Sequence, residues 1–139
     1  MKLVIAGSRH FSEETADILI SYACAKLRFH GSEPVDTYAK GVQHTEITEV
    51  VSGGAQGIDQ GGERWAKSHW VKLQQINANW ELGKNAGRIR NKIMANYGDA
   101  LLLIWDGKSP GSRNMREEMK KMEKPVYEVV LKGPSLLVP

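Results

Sequence analysis

Three short stretches of the 139-residue chain set glycine beside small polar or charged residues directly after an apolar run: Gly7-Ser8-Arg9, Ser52-Gly53-Gly54-Ala55-Gln56-Gly57, and Gly107 to Ser112. That pattern favours phosphate. Glycine lets backbone N–H groups approach a ligand closely, and a helix starting just beyond adds partial positive charge. Two arginines stand where they can supply full charge: Arg9, directly after the first run, and Arg90, in a stretch of helical composition. A guanidinium grips phosphate with a planar fork that lysine lacks. Asp59 follows the second glycine cluster and Asp106 precedes the third. Each is placed either to hold a sugar hydroxyl or to cap a turn or helix start.

Other site chemistries lack their residues. Gly-x-Gly-x-x-Gly follows none of the apolar runs, and Gly83-Lys84 has neither the leading glycine nor the following Ser/Thr of a P-loop. These absences argue against an ordinary dinucleotide dehydrogenase and a P-loop NTPase. Nothing has zinc-ligand spacing or forms a Ser-His-Asp or Cys-His set, so no metal and no cofactor are expected. His10 falls in the first loop, within reach of a ligand, whereas His30, His44 and His69 show no ligand spacing. Among Trp65, Trp70, Trp80 and Trp105, Trp80 is the candidate for stacking on a base, and the others are expected in the core.

The elements that must position these residues follow from the apolar pattern. Met1 to Ala6 reads as a strand, followed by a helix capped by Ser12, with Ile18, Tyr22, Ala25 and Phe29 as its core-facing stripe. Gly31 and Pro34 should end that helix, and residues 31 to 44 read as an exposed connection. Further strands are expected over Ile47 to Ser52, Val71 to Ile76, Ala100 to Trp105 and Pro125 to Leu131. Helices are expected over Asp59 to Ser68 (despite Gly61 and Gly62), over Gly83 to Asn96, and from the third glycine stretch to about Met122. The tail Gly133 to Pro139 carries no signal. Alternating strands and helices at this spacing predict a single α/β domain over residues 1–139: a Rossmann-like open parallel sheet of about five strands flanked by helices. Its βα loops gather at the carboxyl ends of the strands, where the strand order reverses and ligands bind.

A net charge of +3 without a Lys/Arg stripe argues against nucleic acid as a partner. The single cysteine, Cys24, excludes an internal disulfide and fits a reducing compartment. With no long apolar run and no signal peptide, no membrane association and a cytoplasmic location are expected. Met94, Met115, Met119 and Met122, with the tryptophans, offer apolar surface beyond one small core, which predicts a homodimer or higher homo-oligomer.

Several motifs, in order over nearly the whole chain, resemble the YspA-like family of the SLOG superfamily. They are Gly7-Ser8-Arg9-x-Phe11, Val51-Ser52-Gly53-Gly54-Ala55-x-Gly57-Ile58-Asp59, Gly62-Glu63-Arg64-Trp65-Ala66, Asn79-Trp80, and Ala86-Gly87-x-x-Arg90-Asn91-x-x-Met94. The last runs from Asp99-Ala100 through Trp105-Asp106-Gly107-x-Ser109-x-Gly111-Ser112-x-Asn114-Met115. The superfamily resembles Rossmann folds, is commonly dimeric, and includes the lonely-guy phosphoribohydrolases and the DNA-processing proteins. The resemblance implies a phosphate loop at Gly53 to Gly57 and a ribose- and phosphate-binding role for Arg90. It also implies a second glycine motif at Gly111-Ser112. The lonely-guy enzymes carry a glutamate where this chain has Asn114, and a neutral amide can orient a ligand but takes no proton.

The expected ligand-binding set is thus Gly7, Ser8, Arg9, Ser52, Gly53, Gly54, Ala55, Gly57, Asp59, Arg90, Asn91, Asp106, Gly107, Gly111, Ser112 and Asn114. The expected function is binding of a phosphorylated, nucleotide-derived small molecule. One alternative is an N-glycosidase acting on a nucleoside monophosphate-like substrate, with Arg90, Asp59 and Glu63 as catalytic candidates. Another is a single-stranded nucleic-acid module.

Overall fold

Short apolar runs that end in glycine become strands because both faces can be covered by the helices between them. The computed structural model of the protein describes residues 1–32 and 43–131. Chain order begins with β1 (Lys2–Gly7), α1 (Glu13–Leu27), β2 (Phe29–His30), β3 (Thr45–Glu46), β4 (Glu49–Ser52) and α2 (Ile58–Ser68). It continues with β5 (Lys72–Gln75), a 3₁₀ turn (Trp80–Asn85), α3 (Ala86–Tyr97), β6 (Ala100–Trp105), α4 (Pro110–Lys121) and β7 (Val126–Val130). Five strands form one sheet in the order β5-β4-β1-β6-β7, and every neighbouring pair is parallel. The fold is therefore α/β and Rossmann-like.

Alternate residues of the central strands feed two apolar layers. Leu3, Ile5, Val50, Leu102 and Ile104 face Ala16, Ile20, Ile58 and Trp65 of α1 and α2. Val4, Ala6, Val51, Leu101, Leu103 and Trp105 face Met94 and Ala95 of α3 and Met115 and Met119 of α4. Strands buried on both faces read as continuous apolar runs, which is why β6 is so plain in the sequence.

The apolar stripe expected on α1 is not the buried one. Ile18 is 61% and Tyr22 66% exposed, whereas Ala16, Ile20, Ala23 and Cys24 are buried. α1 lies against Gly61 of α2, where an added Cβ would come within 2.6 Å of Ile20 Cδ1 and 3.1 Å of Ala16 Cβ. Such a close approach selects the small-residue face of α1 over the bulky one. α1 ends at Leu27, with Arg28 in a left-handed cap, rather than at Gly31 or Pro34, and Phe29 falls in β2. Of the expected connection over 31–44, residues 33–42 lie outside the described residues, and its described end enters β3, which pairs with β2. The tail beyond Leu131 also lies outside them.

The four methionines expected at an oligomer surface belong to the core instead. Met94, Met115 and Met119 are at most 2% exposed, and Met122 packs against the same layer. Trp65 and Trp105 are buried; Trp70 and Trp80 are exposed. Among the described residues no helix is long and apolar enough to cross a membrane.

α3, which carries Arg90, is fastened at its carboxyl end. The Tyr97 hydroxyl donates to Glu49, and Lys124 Nζ donates to the carbonyls of Ala95, Asn96 and Gly98 at 2.7, 3.0 and 2.7 Å. An ammonium placed on the last carbonyls of a helix satisfies acceptors that have no partner within it.

Gly62 yields a test in which two effects have opposite signs. Helix propensity alone makes Gly62→Ala stabilising by about 1 kcal/mol. The new Cβ, however, would sit 2.8 Å from Ile5 Cβ on the central strand, and overpacking costs roughly 1–3 kcal/mol. Thermal unfolding should show a lower Tm for Gly62→Ala; a higher Tm would mean that α2 can move off the sheet at little cost.

Candidate functional site

The sheet grows from β1 toward β4 and β5 on one side and toward β6 and β7 on the other. Right-handed crossovers then place the helices of the two halves on opposite faces, leaving a crevice above the carboxyl ends of β1 and β6. A cavity of about 370 Å³ occupies that crevice. Four segments wall it: the β1–α1 loop, the start of α2 with the loop before it, the middle of α3, and the first turn of α4.

The β1–α1 loop contributes Gly7, Ser8, Arg9 and His10. A Cβ on Gly7 would lie 1.8 Å from the Ile104 carbonyl oxygen, so only glycine lets β1 and β6 stay paired to their ends. Ser8 is buried and its hydroxyl accepts from Asp106 N–H at 3.1 Å. Arg9 and His10 are exposed.

The second glycine stretch is folded around its own acceptors. Gly54 N–H donates to Ser52 Oγ at 3.1 Å, and Ala55 N–H donates to Asp59 Oδ2 at 3.3 Å. Ser52 Oγ in turn donates to Glu63 Oε2 at 2.7 Å. Ala55 and Asp59 reach the cavity wall, while Ser52, Gly53, Gly54, Gly57 and Glu63 stand behind it.

Gly53 has a distinct task. Its carbonyl accepts from Arg90 Nη1 at 2.9 Å, and a Cβ there would be 2.6 Å from that same nitrogen. The glycine is the seat of the guanidinium. Arg90 Nε donates to Asn91 Oδ1 at 3.0 Å, and both Arg90 and Asn91 line the cavity.

In the third stretch, Asp106 acts as the cap of the turn. Its Oδ1 accepts from Lys108 N–H, Ser109 N–H and Ser109 Oγ at 2.8, 2.9 and 3.0 Å, and the Lys108 amide leads the effects holding its carboxyl below the usual range. Neither Asp106, Gly107 nor Asn114 lines the cavity. Gly111 and Ser112 do. They belong to the first turn of the twelve-residue α4, where N–H groups have no partner inside the helix. Sequence reasoning missed the apolar floor, Ala6, Met94 and Met115, and the Ser109-Pro110 rim. Met94 lies four residues after Arg90 and Met115 three after Ser112, which places each about one helical turn from a polar wall residue. Trp80, the stacking candidate, is 64% exposed and stands apart from the cavity.

Of the three carboxylates Asp59, Glu63 and Asp106, only Asp59 faces the cavity. It is 4% exposed. Burial pushes its carboxyl up to about 6, against hydrogen bonds from the Ala55 and Gly7 amides and the charges of Arg90 and Arg9. Burial also pulls Arg90 below its ordinary value; Asp59 opposes that shift and Arg9 adds to it. The cavity thus joins two guanidiniums to a carboxyl that exchanges its proton near neutrality.

No family model matches the chain, and no solved structure matches it. The Gene 61 protein of Mycobacterium phage D29 is 38% identical over 84 residues, which span 55% of this chain and 67% of the phage protein. The chain belongs to the family of this phage protein. The name of the Gene 61 protein states no activity and no ligand, so the chemistry of the site rests on its geometry.

The Asp59 carboxyl links stability to pH. In the unfolded chain it ionises near 3.8, while in the fold it keeps its proton up to about 6. The folded state therefore binds more protons across that window. The stabilisation is complete below pH 3.8 and is lost as pH rises through 6. Relative to Asp59→Asn, the wild type should lose on the order of 3 kcal/mol between pH 4 and pH 7, read from denaturant unfolding at a series of pH values. A pH-independent difference between the two proteins would contradict this.

Proposed function

We propose that the chain binds a phosphorylated, nucleotide-type small molecule in the cavity above β1 and β6. The observation that carries this reading is the sharing of one cavity by Arg9, Arg90 and the open first turn of α4. Unpartnered helix N–H groups and the helix dipole favour an anion, and guanidiniums add charge-assisted bonds. Asp59 can accept from a sugar hydroxyl, and Met94 and Met115 offer an apolar floor for the uncharged part of the ligand. A volume of about 370 Å³ falls in the small-molecule range of roughly 300–1,000 Å³. The resemblance to the SLOG superfamily points the same way.

Asp59 favours a second reading, cleavage of an N-glycosidic bond in that ligand. A carboxyl poised near 6 suits proton transfer at neutral pH, and it stands on the cavity wall where Asn114 does not.

Native mass spectrometry of the freshly purified protein should reveal a retained phosphorylated small molecule, and calorimetry over a nucleotide panel should find a binder. Arg90→Ala should weaken that binding roughly 10- to 150-fold, as loss of a charged hydrogen bond costs about 1.5–3 kcal/mol; Arg90→Lys should restore part of it. No binding by any nucleotide, or equal binding by Arg90→Ala, would overturn the proposal. Base release by the wild type that Asp59→Asn abolishes while binding persists would establish the hydrolase; the absence of any base release would leave the protein a binder.

A further inference from the structure

Asn91 lines the cavity, and both ends of its side-chain amide are also bonded within the protein. Its side chain lies on α3 and is 5% exposed. Nδ2 donates to Asn114 Oδ1 at 2.9 Å and to the Gly111 carbonyl at 3.2 Å, while Oδ1 accepts from Arg90 Nε at 3.0 Å. A carboxamide has two N–H donors, so both are used. The assignment of its oxygen and nitrogen is unambiguous: Arg90 can only donate and a backbone carbonyl can only accept. A flipped amide would set two acceptors against each other and two donors against each other.

We propose that Asn91 is a positioning residue, clamping the Arg90 guanidinium over Gly53 and tying it to the first turn of α4. This rests on the proposed reading of the cavity as an anion site. With Nη1 on Gly53 and Nε on Asn91, Nη2 is the guanidinium nitrogen left for a ligand. The same amide holds Gly111, which lines the cavity in the first turn of α4, where N–H groups have no partner within the helix. One side chain thereby fixes the spacing between the two anion-binding groups that α3 and α4 contribute. It also accounts for a polar side chain at position 114: Asn91 needs an acceptor there, and an apolar side chain supplies none.

The direct readout is the Arg90 Nε–Hε resonance in arginine-selective NMR, which needs no ligand. In the wild type it should be shifted and slow to exchange. In Asn91→Ala it should move to the position of a free arginine, and in Asn114→Asp, which keeps the acceptor, it should stay. An unchanged Arg90 resonance in Asn91→Ala would overturn the proposal. Should Asn91→Ala fail to fold, Asn114→Leu against Asn114→Asp gives the same comparison, with the resonance released in the first and retained in the second. Release in neither, or in both alike, overturns it.

Binding of adenosine 5′-monophosphate then separates positioning from general stability. Asn91→Ala should weaken binding roughly 2- to 12-fold, the effect of leaving one long side chain unordered. It should cause no further loss when Arg90 is already alanine, although it lowers Tm equally in both backgrounds. An equal loss of affinity with and without Arg90 would refute action through the guanidinium. Failure of the wild type to bind this probe, with the Arg90 resonance behaving as described, would count against adenine mononucleotides as ligands and not against the clamp.

Discussion

A parallel sheet that grows outward in both directions from β1 fixes everything else in this molecule. Each return to the sheet needs a helix, each helix must cross with the same hand, and the two halves therefore cover opposite faces. Nothing in the strand–helix pattern itself fills the space where they part, above the carboxyl ends of β1 and β6. The loops that border this gap must turn sharply within a few residues. Gly54, Gly57 and Gly107, all at positive φ, answer that need, while Gly7 makes room for the Ile104 carbonyl and Gly53 for Arg90. What the gap offers a ligand is set by the side chains those turns admit.

The polar side chains that brace the loops around the gap are committed to one another. Ser8 holds the Asp106 amide, Asp106 holds the turn before α4, and Ser52 bridges the Gly54 amide and Glu63. Satisfying buried polar groups in this way keeps the loops rigid, since an orphaned donor or acceptor would cost about 1–3 kcal/mol. Positive character remains uncommitted at Arg9, at the outer edge of Arg90, and on the N–H groups that open α4. Asp59 is the counterweight. Burial pushes its carboxyl up to about 6 against the pull of Arg90 and Arg9, so an anion entering the cavity and offsetting those guanidiniums would favour the protonated form further.

Much of this was legible in the sequence because the signals were local. Ala100–Trp105 has no polar residue to disguise a doubly buried strand, and Ser12 caps its helix as a serine there should. Arg9 and Arg90, singled out by residue type and position, both line the cavity. The failures arose from distance in the chain. The bulky stripe of α1 looked like a core face, but Gly61 on α2 decides which face of α1 can approach, and no window around Ile18 contains that fact. The two-residue strands at Phe29 and Thr45 exist only through pairing with each other. Glycine content marks the loop at Gly53–Gly57, but nothing local shows that its Gly54 and Ala55 amides are engaged by the side chains of Ser52 and Asp59. Asn91 and Asn114, on different helices, meet only in the folded chain.

Mapping where a mononucleotide lands is the most direct test of the account. Titration of adenosine 5′-monophosphate into isotopically labelled protein should shift the amides of Gly7 to His10 and of Gly111 and Ser112, together with the Arg90 side-chain signals. A second, smaller groove of about 160 Å³ between α1 and α2, lined by Asp17, Arg64 and Ser68 among others, and exposed Trp80 should stay unmoved. Shifts confined to that groove or to Trp80, with the Gly111 and Ser112 amides unchanged, would contradict the assignment of the crevice above β1 and β6 as the binding site.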